Sequence, residues 1–252
     1  MSTTLPSTSA VFSSLFRADL TTQWRNRRSA IMVILVPTLI LIAWKGLIPQ
    51  LGGPVVLSNC ITVGLIAIGL MGYSNSIARD RDKGIFQRLR VAPAPAWSIM
   101  ASRLAVQLVM IIVMTVALFI VGYQYDKITL SASGYALGLL AAIVGGAVYL
   151  SLGQMIVGLI KNPEAVNATT RLVYFCFIMI GMLAGLGVFD ERAKGLVDAV
   201  NWSPYGTVKQ IVSNSLQTDA WTTKTSMALL VTLGYTLVFT IMGIKWFRWN
   251  TR

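Results

Sequence analysis

The densest run of ionisable side chains in this chain is Ala78-Arg79-Asp80-Arg81-Asp82-Lys83-Gly84, continued by Ile85-Phe86-Gln87-Arg88-Leu89-Arg90. Two carboxylates so close together invite an acid–base reading. Their Arg and Lys neighbours argue against it, because they hold both carboxyls ionised and remove the proton donor such chemistry needs. No other catalytic set is evident. Histidine is absent, the dipeptide Gly-Lys does not occur, and with it the G-x-x-x-x-G-K-[ST] phosphate loop is missing. No Ser or Asp in the apolar segments has an activating partner. Cys60 and Cys176 fall in apolar runs and read as small packing residues, not as a disulfide or metal pair. The charged run therefore reads as structural. On a helix, Arg79–Asp82 and Asp80–Lys83 are i+3 pairs. Ile77, Ile85 and Leu89, with Phe86, mark an apolar side, while Arg88 and Arg90 stay wet. Pro93 and Pro95 end the element, and Trp97 anchors the next apolar run. A charged helix continuous with a buried one can receive force from another protein. An ordinary basic loop next to a membrane has the same composition.

The elements that position this segment are six apolar runs: Ala30–Trp44 (extended by Lys45-Gly46-Leu47-Ile48), Val55–Ile77, Leu104–Tyr123, Tyr135–Ile160, Leu172–Val188 and Met227–Phe247. A bilayer core needs about 20 apolar residues per helix, and in lipid every backbone polar group must be satisfied within the segment. Hydrophobic residues make up 55% of the chain and charged ones only 12%, against about 25% charged in globular domains. The sequence thus predicts an all-α membrane protein with six spans. An even number of spans puts both termini on one side. With both in the cytoplasm, fifteen of the 21 Lys and Arg face inward and six outward, as the positive-inside rule requires. The net charge of +12 is then a topology signal with anionic-lipid contact, not a nucleic-acid footprint. No cleavable signal peptide is expected, since the first apolar run follows a polar leader and Arg27-Arg28. The expected location is the cytoplasmic membrane.

Several shorter patterns refine the picture. Phe12, Phe16, Leu20 and Trp24 recur at i+4, predicting an amphipathic helix in the inner headgroup layer; a plain extension of the first span is the alternative. Pro37 predicts a kink in the first span, and Lys45 at its outer end is expected to snorkel to the headgroups. Asn59 and Asn75, with Ser58 and Ser74, sit in the second span, where amides either line a wet path or bridge helices. Gly138, Gly145, Gly146, Gly153 and Gly158 make the fourth span a close-packing helix. Gly181 and Gly185, followed by Gly187, do the same for the fifth, for a dimer contact or for packing inside one subunit. Between spans five and six, the stripes Ala193-Leu196-Val197-Val200 and Val208-Ile211-Val212-Leu216 flank Trp202, Ser203, Pro204 and Tyr205, with Ser203 as N-cap and Pro204 in the first turn. They predict a re-entrant helical pair or, alternatively, two interfacial helices on a surface loop.

With those residues in view, the chain resembles the ABC-2 type transporter permeases. Asp80-Arg81-Asp82-Lys83-Gly84, then Gln87, Leu89 and Ala92-Pro93, are similar to that family's acidic-Arg-acidic-x-Gly…Glu…Leu…Thr-Pro signature, with Asp for Glu, Gln87 for Glu and Ala92 for Thr. The likeness extends over nearly the whole chain. It implies a single membrane domain, 1–252, made of a leader with an interfacial helix (1–29), six helices (30–247) and a cytoplasmic tail (248–252). It further implies that the chain is not itself an enzyme and holds no cofactor. A second permease subunit, identical or related, would pair with it, and a separate ABC nucleotide-binding subunit would bind ATP and Mg and hydrolyse the ATP. That partner would dock on Asp80, Arg81, Asp82, Gly84, Arg88 and Leu89, with a smaller contact from Lys161-Asn162-Pro163-Glu164. The expected cargo is an amphiphile moved outward, a drug or antibiotic first and a lipid or lipid-linked glycan second. Asn59, Asn75, Tyr174, Phe175 and Phe177 are the candidate path. An ATP-independent carrier is the rival of another class, although no Asp or Glu lies within a span to couple protons. A non-transporting membrane subunit would carry the same spans.

Overall fold

The computed structural model describes residues 7–90, 95–185 and 194–247. Of the features read from sequence, Ala92-Pro93, Gly187, Ala193 and the tail from Arg248 lie outside these. Among the described residues the chain is all helical, and five helices are long and apolar enough to cross a membrane.

The first of these spans, Ile31–Leu51, begins within α2 (Arg27–Ala43), which holds Pro37 in its interior. It is preceded by α1 (Thr8–Arg25), capped by the Ser7 hydroxyl and separated from α2 by Asn26, whose ψ of 60° breaks the helix. A short 3₁₀ turn and α3 (Ile48–Leu51) then lead to Gly52, whose φ of 84° turns the chain into α4 (Gly53–Ile66). Lys45, towards the end of the first span, is exposed. Its ammonium donates to the Tyr125 carbonyl at 3.0 Å, because the end of α7 (Ala96–Gln124) offers unpaired backbone oxygens within reach.

The second apolar run is not a uniform α-helix. After α4 the backbone widens into a π-helical stretch, Ala67–Ser74, before α5 (Asn75–Asp82) resumes. Its cause is local crowding against α8 (Ala132–Leu159). A Cβ on Gly69 would come within 2.5 Å of the Tyr149 backbone, and one on Gly153 within 2.5 Å of the Gly69 carbonyl. The Ser74 hydroxyl donates to the Gly69 carbonyl at 3.1 Å, supplying a partner that the widened ladder gives up. With no hydrophobic drive between helices in lipid, such backbone-level approach is what holds them. α8 is the hub: it contacts α7, α12 (Thr223–Trp246), α11 (Pro204–Leu216) and the π stretch. The helices α4 to α5 and α8 are mostly buried, whereas little of α2 and α12 is. Between α5 and α7 lies α6 (Ile85–Arg90), and between α8 and α11 lie α9 (Pro163–Gly185) and α10 (Lys194–Trp202).

Chain direction gives the molecule two ends. One carries Asp82, α6, the start of α7 and the ends of α8 and α12. The other carries Gly52, Tyr125, the start of α8, and α10–α11.

Candidate functional site

At the first end the charged run folds into an elbow. α5 stops where the amide of Gly84 turns back to the Arg81 carbonyl at 3.1 Å, and Gly84 itself has φ of 68°. That left-handed conformation strains any residue with a Cβ, although space is open there, with only the Gln87 side chain at 3.6 Å. Gly84 is thus the bend itself. On the far side Phe86 is fully buried and meets the Phe247 ring edge-on at 6.2 Å, with Leu89 packed against the core. Asp82, Lys83, Gln87 and Arg88 are exposed.

Arg81 departs most from its sequence reading. It is only 1% exposed, and its guanidinium donates to three carbonyls at the end of α8: Val157 at 2.8 Å, Ile160 at 2.7 Å and Lys161 at 2.8 Å. The last carbonyls of a helix are unpaired and sit at the negative end of its dipole. Arg81 is therefore the cap of a neighbouring helix, and direct surface contact is closed to it.

The expected pairing of Asp80 with Lys83 is also replaced. Asp80 accepts from the Arg103 guanidinium at 2.7 Å, and the same Arg103 contacts Asp19 of α1 at 3.2 Å. Asp19 further accepts from the Ser102 hydroxyl. Burial pushes the Asp19 carboxyl above its ordinary value, outweighing the Ser102 bond and the Arg103 charge. One cation thus joins the amphipathic helix, the elbow and the base of α7. A cavity of about 200 Å³, bordered by Asp19, Asn26, Tyr73, Asp80, Lys83 and Arg103, lies among them. Sequence reasoning missed Asp19, Ser102 and Arg103 because no local spacing relates them. On α1, Phe12 and Phe16 stack at 6.3 Å and are half-buried with Leu20, while Trp24 is exposed.

The candidate path residues do not gather in one place. Asn59 is buried, donates to the Val55 carbonyl at 3.0 Å and accepts from the Tyr205 hydroxyl at 3.1 Å, bridging α4 to α11. Asn75 donates to the Met71 carbonyl at 2.9 Å, and its own amide oxygen is buried without a partner. Phe177 meets Tyr149 edge-on at 6.3 Å, Tyr174 packs on the core, and Phe175 is exposed. None of the five lines the groove of about 560 Å³ between α7, α8 and α12, whose walls include Trp97, Met100, Leu104, Leu150, Ile244 and Phe247.

At the other end Ser203 caps α11, accepting from the Gly206 amide at 3.3 Å, with Pro204 in the first turn. Three tyrosine hydroxyls fix this corner. Tyr149 donates to the Pro204 carbonyl at 3.1 Å, Tyr235 to the Trp202 carbonyl at 3.0 Å, and Tyr205 to Asn59. Gly181 lies under the Tyr205 ring, where a Cβ would come within 2.2 Å, so Gly181 packs within the chain. Gly185 is the last described residue of α9.

Comparison with known proteins adds one match. A family model described as "ABC-2 family transporter protein" covers residues 50–245, from α3 to the last turn of α12 and so through the elbow. No curated protein matches the chain.

Proposed function

The chain belongs to the ABC-2 family of transporter proteins, and from that premise we propose that it is the permease subunit of an ATP-driven exporter, with hydrolysis of Mg-bound ATP carried by a separate nucleotide-binding subunit. The carrying observation is the elbow. Its exposed face (Asp82, Gln87, Arg88) is joined through buried Arg81 to the end of α8, and through Asp80 and Arg103 to α1 and α7. A push there is passed to three other helices at once. In this reading the partner touches Asp82, Arg88 and Leu89, Gly84 sets the bend, and Asp80 with Arg81 transmits the load.

The rest of the architecture follows the same reading. The whole chain forms one membrane domain, in which α9 is the fifth of six spans, added to the five that length and hydropathy mark, and α1 lies in the inner headgroup layer. The α10–α11 pair re-enters the outer leaflet, and both termini are cytoplasmic in the inner membrane. A second permease copy or relative completes the channel. Two packings of the pair, with access on opposite sides, provide the switch. The cargo is an amphiphile, with a drug or antibiotic the first assignment. The membrane-facing groove beside Trp97, Leu104 and Phe247 favours lateral entry from the inner leaflet, and by the same observation supports a lipid or lipid-linked glycan as the second.

The deciding experiment reconstitutes the chain with its ATPase in liposomes. Hydrolysis stimulated by cargo, and lost coupling in Asp82→Arg and Arg88→Glu, is the expected result. Transport that persists without nucleotide would overturn it in favour of a carrier.

A further inference from the structure

At the end of the molecule opposite the elbow, a cavity of about 310 Å³ opens between α4, α10, α11 and the start of α12. Its polar wall consists of Lys209, Lys224, Asn201, Gln210, Ser213 and Asn214. No carboxylate lines it among the described residues, and Lys209 forms no ion pair there although it is half-buried. The opposite wall is apolar, built from Val55, Val200 and the buried ring of Tyr205.

Two lysines lining one cavity repel each other, and half-buried Lys209 is the less solvated of the two, since Lys224 is exposed. Burial pulls the Lys209 ammonium below its ordinary value, a cost that an anion would relieve. Lys224 stands in the first turn of α12, whose positive dipole end adds to the potential there. α11 lines the cavity along its length, from Tyr205 and Gly206 in its first turn to Ser213 and Asn214 in its last. The neutral side chains supply further donors. Asn214 already gives one N–H to Thr225 at 2.6 Å, which holds its amide in place. The volume sits at the lower end of the range for small-ligand pockets, about 300–1,000 Å³.

We propose that this cavity is a binding site for an anionic phosphate-ester head group carried on an apolar body. Lys209 and Lys224 would meet the oxyanion, the amides and Ser213 its remaining oxygens, and the Val55–Val200–Tyr205 wall the adjoining hydrocarbon. The site does not depend on the ATPase reading, since it needs only this chain. An acidic membrane lipid and a soluble phosphate share the chemistry, and the test separates them.

The purified full chain is placed in nanodiscs of phosphatidylcholine alone, of phosphatidylcholine with phosphatidylglycerol, or of phosphatidylcholine with inorganic phosphate in the buffer. Acylation of each lysine by an amine-reactive probe is followed by peptide mass spectrometry, with exposed Lys127 as the internal reference. The probe consumes the neutral amine, so a bound oxyanion slows it. We expect Lys209 to be protected by phosphatidylglycerol while Lys127 is unchanged. Lys224→Gln should weaken that protection about tenfold, the worth of one charge-assisted hydrogen bond, and Lys209→Arg should keep the retained lipid visible by native mass spectrometry. Protection by inorganic phosphate but not by phosphatidylglycerol would assign the site to a soluble oxyanion and overturn the apolar-bodied ligand. Equal acylation of Lys209 in all three discs would overturn the proposal. So would protection in phosphatidylcholine that disappears in Asp190→Asn/Glu191→Gln, which would make the counter-charge the chain's own.

Discussion

Arg81 and Arg103 show how differently two arginines at one end of a membrane domain are used. Arg81 binds three backbone carbonyls, so Arg81→Ala strands the last oxygens of α8 and should cost about 3 kcal/mol. Arg81→Lys, unable to fork, should recover only part of it. Thermal unfolding in detergent reads both, and a Tm equal to the parent's would show that the guanidinium is not bound there. Exposed Asp82 and Arg88 should tolerate charge reversal within about 0.5 kcal/mol, which is what makes them usable for the coupling test. Arg103 instead balances two carboxylates, Asp19 and Asp80, and Arg103→Gln leaves them facing each other at a cost of about 2 kcal/mol. The pH dependence has a defined sign. Burial holds the Asp19 carboxyl above its ordinary 3.8, so the folded state binds that proton more tightly than the unfolded one. The contribution of Asp19 to stability is therefore greatest below 3.8 and declines as pH rises through its shifted value. Without the Arg103 charge the shift is larger, and the Tm deficit of Arg103→Gln should shrink as pH is lowered from neutral. A deficit that grows on acidification would mean that Asp19 is stabilised as the anion.

Among the elements, the contact of α8 with the π-helical stretch is the one most sensitive to a single atom. Gly153→Ala drives a methyl toward the Gly69 carbonyl and the Ser74 hydroxyl, each 2.5 Å away, and overpacking of this kind costs about 1–3 kcal/mol. Gly234→Ala in α12 meets nothing within 4 Å and should be neutral or gain up to about 1 kcal/mol of helix propensity. Comparing their Tm values tests whether the close approach is real, since equal effects would deny it. This contrast also marks what could be read in the sequence. The apolar runs located the long helices, because a membrane demands length and hydropathy that nothing else in the chain imitates. Yet α7 begins eight residues before Leu104 and α9 nine before Leu172, where polar residues continue the helix beyond its apolar part. Ser203-Pro204 announced α11, and its stripe of Val208, Ile211, Val212 and Leu216 is buried. The π stretch was illegible, since its widening depends on which backbone lies alongside and Ala67–Ser74 carries no signature of its own. The inward turn of Arg81 was illegible for a related reason: an i+3 charge pattern is the same whether the helix faces water or the open end of α8. Arg103 counts only among the inward-facing cations and Asp19 belongs to no motif, so only the docking of α1 on α7 brings them together.

For the whole molecule, the question is what covers the apolar faces that the fold leaves open. α9 exposes Leu172, Phe175, Met179, Ile180 and Leu183, and α2 exposes Ile31, Met32, Leu35, Leu39 and Ile42. Both helices contact the buried π stretch. Lipid alone satisfies such faces, as does a second copy. The chain carries its own probe, because Cys176 is exposed on α9 while Cys60 is buried. A disulfide forms only when two Cα atoms come within about 4.4–6.8 Å. If α9 meets its counterpart in a second permease, mild oxidation in native membranes should give a covalent dimer that vanishes in Cys176→Ser. In the Cys176→Ser background, single cysteines at Phe175 and Met179 should then cross-link efficiently. Positions on α12 such as Leu237 and Ile244, equally exposed but on the other flank, should not. Cross-linking that is uniform around both helices would reflect random collision in the bilayer. A dimer trapped through α12 alone would place the partner against the α7–α8–α12 groove, closing the lateral entry assigned to the cargo and requiring another route for it.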